Sequence, residues 1–333
     1  MALPLRVAVV FLLDALLCER APFVHPIVLV GRLVALLEGV LRRAFRCEFP
    51  PGADAGDCPP GRAWRERAAG AVLVAVVCAV AFLVPRALLL CAERLSPALG
   101  TALSLWLGFR AVSARCMFDE AMNVSRKLSS SLSEGRVALS RIVGRDTDVL
   151  DEAGVVRACV ETVAESTTDG IFAPLFFYAV GGAPFAFLYK AVNTMDSMVG
   201  YRDVRYRFFG TAAARADDVL GFVPARICAV CMMMTQLLSP RTLLRAARVF
   251  LRDRNKHESP NSAQTESVMA GILGVRLGGD AVYGGSVERR GTLGDGTRPV
   301  EREDIRRALR VMCGSCAVLV ALLFLLWAVR ALF

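Results

Sequence analysis

Glu161, Glu165 and Asp169 stand at i, i+4 and i+8, so a helix would carry their carboxylates in one stripe. Like charges so placed cost a helix ~0.2–0.5 kcal/mol per pair. The stripe is either a solvated acidic face or a set of hard oxygen donors for Mg²⁺, which takes one or two carboxylates and keeps several waters. It runs straight into an apolar segment broken by Pro174, Gly181-Gly182 and Pro184, which favours a site. Upstream, Gly144-Arg145-Asp146-Thr147 reads as a turn. Asp146 or Thr147 would cap the helix that follows, and Arg145 would pair locally or be held for an anionic group.

A second group follows. Lys190, Asn193 and Ser197 have i, i+3, i+7 spacing and share a helical face, with Asp196 beside them. Lys190 is either a snorkelling lysine or an ammonium for phosphate. Arg202, Arg205, Arg207 and Arg215 lie just beyond, as phosphate ligands or membrane-surface anchors, before the pair Asp217-Asp218. His257, one of only 2 histidines, precedes Glu258, Ser259 and Asn261 and a helix-like run at 266–274. His25-Pro26 is similar in type.

The elements that must position these residues are apolar. The 333-residue chain is 55% hydrophobic, above the roughly 45–50% of soluble domains and far above a disordered chain. Its net charge of +9 sits beside apolar segments, the pattern of a positive-inside membrane protein and not of a nucleic-acid binder. Seven apolar stretches stand out: 3–18, 24–37, 68–84 (ending at Pro85), 98–109, 171–189, 219–238 and 311–329. Asp14 interrupts the first, and no small-residue cleavage site follows, so the segment is read as part of the mature protein. The 41–67 stretch, with Pro50-Pro51-Gly52 and Pro59-Pro60-Gly61, is a loop.

If the polar segments after 110 all face the cytoplasm, 171–189 and 219–238 cannot each cross once. Their Pro and Gly breaks suit re-entrant or buried hairpins. The expectation is an all-α, polytopic membrane protein with a polar cytoplasmic layer. Its regions are N-terminal helices in 1–109, a motif-bearing region in 110–310 and a last membrane helix in 311–333. Cys228/Cys231 and Cys313/Cys316 have C-x-x-C spacing, but no histidine lies near, and small apolar residues on helix faces are the simpler reading. There is no P-loop, no G-x-G-x-x-G after a strand and no G-x-S-x-G elbow.

Longer motifs carry a resemblance. They are IVGRDTDVLDE (142–152), VETVAESTTDGIFAPLFFYAVGG (160–182), YKAVNTMDSMVGYR (189–202), RYRFFGTAAARADDVLGFVPAR (205–226) and KHESPNSAQTESVMAGILGVRLGG (256–279). With LLDALL…HPIVLVGRLVALLE (12–38) and LGDGTRP (293–299), they resemble the adenosylcobinamide-phosphate synthase family of cobalamin biosynthesis, often called CbiB or CobD.

The resemblance implies a bacterial inner-membrane enzyme. It implies ATP- and Mg²⁺-dependent amide formation between adenosylcobyric acid, a corrinoid, and (R)-1-amino-2-propanol O-phosphate or a close amino-alcohol phosphate. For that reaction, residue type gives Glu161, Glu165 and Asp169 to Mg²⁺–ATP, and Arg145, Lys190 and Arg202 to phosphates of ATP or the amine substrate. Asp146, Asn193, Asp196 and Asn261 would line the substrate site. His257, Asp217 or Asp218 would take the amine proton. Association with other cobalamin-assembly enzymes or a second copy is a further expectation.

Two departures stand out. Cys18-Glu19-Arg20 replaces the family's Gly-Asp-Pro. In the 257–266 loop, Glu258 replaces a proline and Gln264-Thr265 an aromatic-proline pair. The competing readings are a non-catalytic membrane sensor and a transporter.

Overall fold

A computed structural model describes residues 2–17, 25–47, 61–201 and 203–332. In chain order the helices are α1 (Leu3–Leu17), α2 (Pro26–Ala44), α3 (Arg62–Leu95), α4 (Pro97–Ala111), α5 (Ala114–Ser130), α6 (Leu132–Leu139) and α7 (Glu152–Ser166). They continue with α8 (Ala173–Gly181), α9 (Ala183–Val199), α10 (Thr211–Met234), α11 (Pro240–Asp253), α12 (Ser262–Leu273) and α13 (Glu303–Leu332). A π-helical turn, Thr167–Phe172, joins α7 to α8. Helix makes up 76% of the described residues, so the all-α expectation holds. Between α12 and α13 lie two small antiparallel ladders that residue patterning does not announce. β1 (Leu277–Gly278) pairs with β4 (Thr292–Leu293), and β2 (Ala281–Tyr283) with β3 (Ser286–Glu288).

The chain forms two compact units, and neither is continuous in sequence. The first comprises Met1–Cys18, Ser113–Ala173 and Gly221–Phe333; the second comprises Glu19–Val112 and Pro174–Leu220.

In the first unit α12 is buried along its whole length, including the polar run Gln264-Thr265-Glu266-Ser267. It packs on α11 so closely that a Cβ on Gly271 would stand 2.6 Å from the Ala246 Cα. α7 buries Val155, Cys159, Val160 and Val163, and α13 buries Ile305, Leu309 and Met312. Asp14, the charge inside the first apolar stretch, is buried because its carboxylate accepts the backbone N–H of Arg115 (3.0 Å) and so serves the start of α5.

In the second unit Val34, Leu73, Val77, Val192, Met195 and Phe209 meet in one core. A Cβ on Gly70 would overlap the Phe209 carbonyl, which explains the glycine on α3. Glu38 is buried there. It accepts Arg42 Nε (2.9 Å) and Arg205 Nη2 (3.0 Å) on Oε1 and the Tyr206 hydroxyl (3.4 Å) on Oε2. The Arg42 guanidinium also lies 4.3 Å from the Phe209 ring centroid, a cation–π contact. Arg205 is thereby an internal ion-pair partner.

Among the described residues two helices, α3 and α13, are long and apolar enough to cross a membrane. Both carry exposed apolar side chains, including Leu83, Val84 and Leu88 on α3 and Leu325, Leu326 and Trp327 on α13. The other five apolar stretches lie in helices that are shorter or less apolar.

The proline expectations are corrected twice. α3 does not stop at Pro85 but runs ten residues past it to Leu95. α10 passes Pro224 without interruption, so 219–238 is not a hairpin but the body of one helix and the turn after it. Proline removes one intrahelical hydrogen bond. In both helices the turns beyond it pack buried residues, among them Leu89 and Ala92 on α3 and Cys228 and Met232 on α10. The 171–189 stretch does break, at Gly181-Gly182, where Gly182 has φ 73°. Pro174 lies inside α8 and Pro184 in the first turn of α9, where a proline is tolerated.

Candidate functional site

Three distant motifs of the first unit converge on one recess. Arg145 comes from the turn before α7, Glu161 from α7, and Lys256 and His257 from the loop between α11 and α12. Glu266 comes from the first turns of α12, and Gly278, Gly279, Arg290 and Gly291 from the ladder that follows. The recess measures about 320 Å³, the solvent at its mouth included. Its glycine wall has a physical reason. Gly278 and Gly279 have φ 71° and 92°, and a Cβ on Gly278 would stand 2.4 Å from the Gly291 carbonyl oxygen.

Two anchors hold the walls. Glu161 accepts Arg145 Nη2 on Oε2 (2.7 Å) and the Gly278 N–H on Oε1 (2.7 Å), tying α7 to the turn and to β1. Asp253, fully buried, accepts Arg252, Lys256 Nζ (2.6 Å) and the Gly294 N–H (2.8 Å). These partners hold its carboxyl far below the usual carboxylate range, the Arg252 hydrogen bonds most of all. Gln264, one of the family departures, donates through Nε2 to the carbonyls of Arg254 (3.2 Å) and Pro260 (2.9 Å) and closes the loop that carries His257.

The reactive groups face this frame. Glu165, exposed, accepts the Ser262 hydroxyl (2.9 Å). His257 Nδ1 accepts the Ser259 N–H (3.0 Å), which leaves the proton of the neutral ring on Nε2. Burial lowers the His257 pKa, against the pull of the Glu165 carboxylate. Glu266 is 7% exposed, lines the recess and takes no hydrogen bond on its carboxyl group among the described residues. Burial raises its pKa well above the ordinary value, and the charges of Glu165 and Glu161 add to the rise. The Arg290 guanidinium pairs with Glu288 (2.9 Å) and lies 5.0 Å from the Tyr283 ring centroid.

The structure sorts the expected residues into separate groups. Arg145, Glu161 and His257 line the recess, and Glu165 stands close enough to His257 and Glu266 to shift both. Asp146 does not cap α7; Asp151 does, through Gly154 N–H (2.7 Å). Asp146 accepts Gly284 N–H (3.2 Å) and Gly285 N–H (2.8 Å) instead, fastening the β2–β3 turn. Asn261 is buried beside Gly221 and Arg226. Asp169 falls in the π-helical turn, whose wider winding ends the 3.6-residue stripe after Glu165.

Among the described residues no three His, Cys, Asp or Glu side chains come together to hold a metal ion. With both oxygens of Glu161 engaged, the stripe is not a preformed Mg²⁺ cage. Lys190, Asn193, Asp196, Asp217 and Asp218 belong to the second unit, where Asn193 Nδ2 donates to Asp217 Oδ1 (3.3 Å). His25 caps α2 by accepting Ile27 N–H (3.2 Å). Arg202 and the Cys18-Glu19-Arg20 departure lie outside the described residues. Residue types and spacing do not single out Glu266 or Arg290. The signal for Glu266 was a lone carboxylate in the otherwise uncharged run 262–273; Arg290 carries none.

Comparison with known proteins matches the chain to the family described as CobD/Cbib protein over residues 7–312. The chain belongs to the CobD/CbiB family. It is 41% identical to the cobalamin biosynthesis protein CobD of Klebsiella pneumoniae over 315 residues, 94% of either chain. It is 38% identical to the cobalamin biosynthesis protein CbiB of Salmonella typhimurium over 316 residues, 95% of this chain and 94% of that one. It is 39% identical to the CobD protein of Pelobacter propionicus over 310 residues, 93% of this chain and 90% of that one. No solved structure matches. Membership in the CobD/CbiB family places the protein in cobalamin biosynthesis.

Proposed function

We propose that the protein is an adenosylcobinamide-phosphate synthase. It would join adenosylcobyric acid to (R)-1-amino-2-propanol O-phosphate, or a related amino-alcohol phosphate, at the expense of ATP. The observation that carries the reading is the convergence of the 142–152, 160–182 and 256–279 motifs on one charged recess.

The chemistry asks for such a place. A carboxylate resists attack by an amine until its oxygen becomes a leaving group. Phosphorylation by ATP gives an acyl phosphate, the amine attacks its carbonyl carbon, and inorganic phosphate leaves. Phosphoryl transfer needs chiefly positioning and charge neutralisation. In this reading Arg145 and Arg290 neutralise phosphate charge, Glu161 keeps Arg145 in place, and His257, neutral through burial, takes a proton from the amine. Mg²⁺ arrives as the ATP complex and is part of that substrate. Lys190 and Arg202 are proposed for phosphates, Asn193 and Asp196 for substrate, and Asp217 or Asp218 as the alternative base. We place the protein in the bacterial inner membrane, with α3 and α13 as two of its crossings and the recess open to the cytoplasm.

The test uses detergent-purified full-length protein with Mg²⁺, ATP, adenosylcobyric acid and aminopropanol phosphate, the corrinoid being followed by mass spectrometry. A mass gain equal to the condensed amide, dependent on ATP, is the expected result. No product with this amine, ethanolamine phosphate or threonine phosphate, from a folded sample, overturns the reading and favours a sensor. Glu165→Lys is expected to abolish product in a protein that still folds.

A further inference from the structure

We propose that the recess of the first unit is the site for the amine substrate, a short aminoalkyl phosphate bound as a dipolar ion. Glu165 and Glu266 take its ammonium, and Arg290 and Lys256 take its phosphate. The assignment rests on the synthase reading for the identity of the amine, and on the recess itself for the rest.

The first argument is Glu266. A carboxyl group that is nine-tenths buried, lines a cavity and accepts no hydrogen bond is costly to keep. Arg145 and Arg290 act on it by charge alone, without a hydrogen bond. Arg145 Nη2 and the Gly278 N–H go to Glu161, the Ser262 hydroxyl to Glu165, and the Ser259 N–H to His257. The position therefore asks for a donor from outside the chain. A primary ammonium brings three N–H donors and one positive charge. Between Glu165 and Glu266 it would also relieve the repulsion that α7 and α12 impose on each other at this point.

The second argument is the charge distribution. Carboxylates come from the two helices; cations come from the loop and the ladder, as Lys256 and Arg290. A ligand with an ammonium at one end and a phosphate at the other matches both walls. A simple anion or a simple cation matches only one.

Calorimetry on the full-length protein in detergent, without ATP or corrinoid, tests the assignment. The probes are aminopropanol phosphate and isopropyl phosphate, which lacks the amine. The wild type is expected to bind the aminoalkyl phosphate about 10- to 100-fold more tightly, the ratio that a charge-assisted hydrogen bond commands. Glu266→Gln is expected to erase that preference and leave isopropyl phosphate binding unchanged. Glu266→Asp, which keeps the charge, restores part of it, and thermal unfolding shows that both variants fold. Equal binding of the two probes by the wild type, no binding of either, or an undiminished preference in folded Glu266→Gln each overturns the proposal. Wild type that prefers the aminoalkyl phosphate yet makes no amide with ATP and adenosylcobyric acid overturns the synthase reading and leaves the recess assignment standing. Amide formation by Glu266→Gln with an unchanged KM for the amine does the reverse.

Discussion

Glu38 and Glu266 are both buried glutamates in helices, and both sit among arginines. Glu38 is answered on each oxygen: Arg42 and Arg205 on one, Tyr206 on the other. Glu266 has no hydrogen bond to its carboxyl group among the described residues and borders open space. The first arrangement is closed and holds α2 to the Arg205–Tyr206 turn. The second is open. Burial of a charge does not by itself mark a site, and neither does one missing partner, since Arg42 Nη1 beside Glu38 has none; a buried carboxyl group that also borders open space does.

The sharpest way to break the comparison is to open the closed cluster. Glu38→Ala leaves Arg42 buried without its carboxylate and is expected to cost ~3–5 kcal/mol of stability, read from denaturant unfolding in detergent. A loss below ~1 kcal/mol would mean that Glu38 is not a structural anchor. Glu161→Gln removes the charge facing Arg145 while keeping most of the shape. It is expected to cost ~2–3 kcal/mol and to reduce product formation through displacement of Arg145.

Glu266→Gln should behave in the opposite sense. The folded-state pKa of Glu266 is raised, so its contribution to stability is present at low pH and is lost as pH rises through that folded value. The variant is expected to lie within ~1 kcal/mol of wild type at pH 5 and to be the more stable of the two at pH 8. A variant less stable than wild type at both pH values would sink the comparison. His257 works in the other direction. Its folded pKa is lowered, so stability is lost as pH falls from ~6.5 through that lower value. His257→Gln should flatten the acid limb of the stability curve. The smallest effect belongs to the exposed pair Lys127–Glu134, where both side chains are about half exposed. Lys127→Ala is expected to change stability by less than ~0.5 kcal/mol.

The apolar runs at 68–84 and 311–329 were legible as long helices, and became α3 and α13. The pairing of Glu161 and Glu165 on one helix was legible too, because it depends only on a local period. What failed was whatever depends on distant neighbours. Pro85 and Pro224 looked like stops, since the packing that carries a helix past a proline lies on other elements. Asp146 looked like a cap, because its real partners, Gly284 and Gly285, are more than 130 residues away. Arg205 read as an anion ligand or surface anchor because Glu38 lies 167 residues before it. The same distance hid the recess: no window of sequence holds Arg145, Glu161, His257 and Arg290 together.

The interleaving of the two units bears on how the protein is made. The chain changes unit four times, after residues 18, 112, 173 and 220. The first unit opens with α1 and is finished only by α13, which is synthesised after every other described helix. α1 and α5 must therefore wait, partly formed, through the synthesis of most of the chain. Long-range closure of this kind is slow and leaves apolar surface uncovered in the interval. No single cut separates the two units, so proteolysis between any two helices leaves at least one of them incomplete.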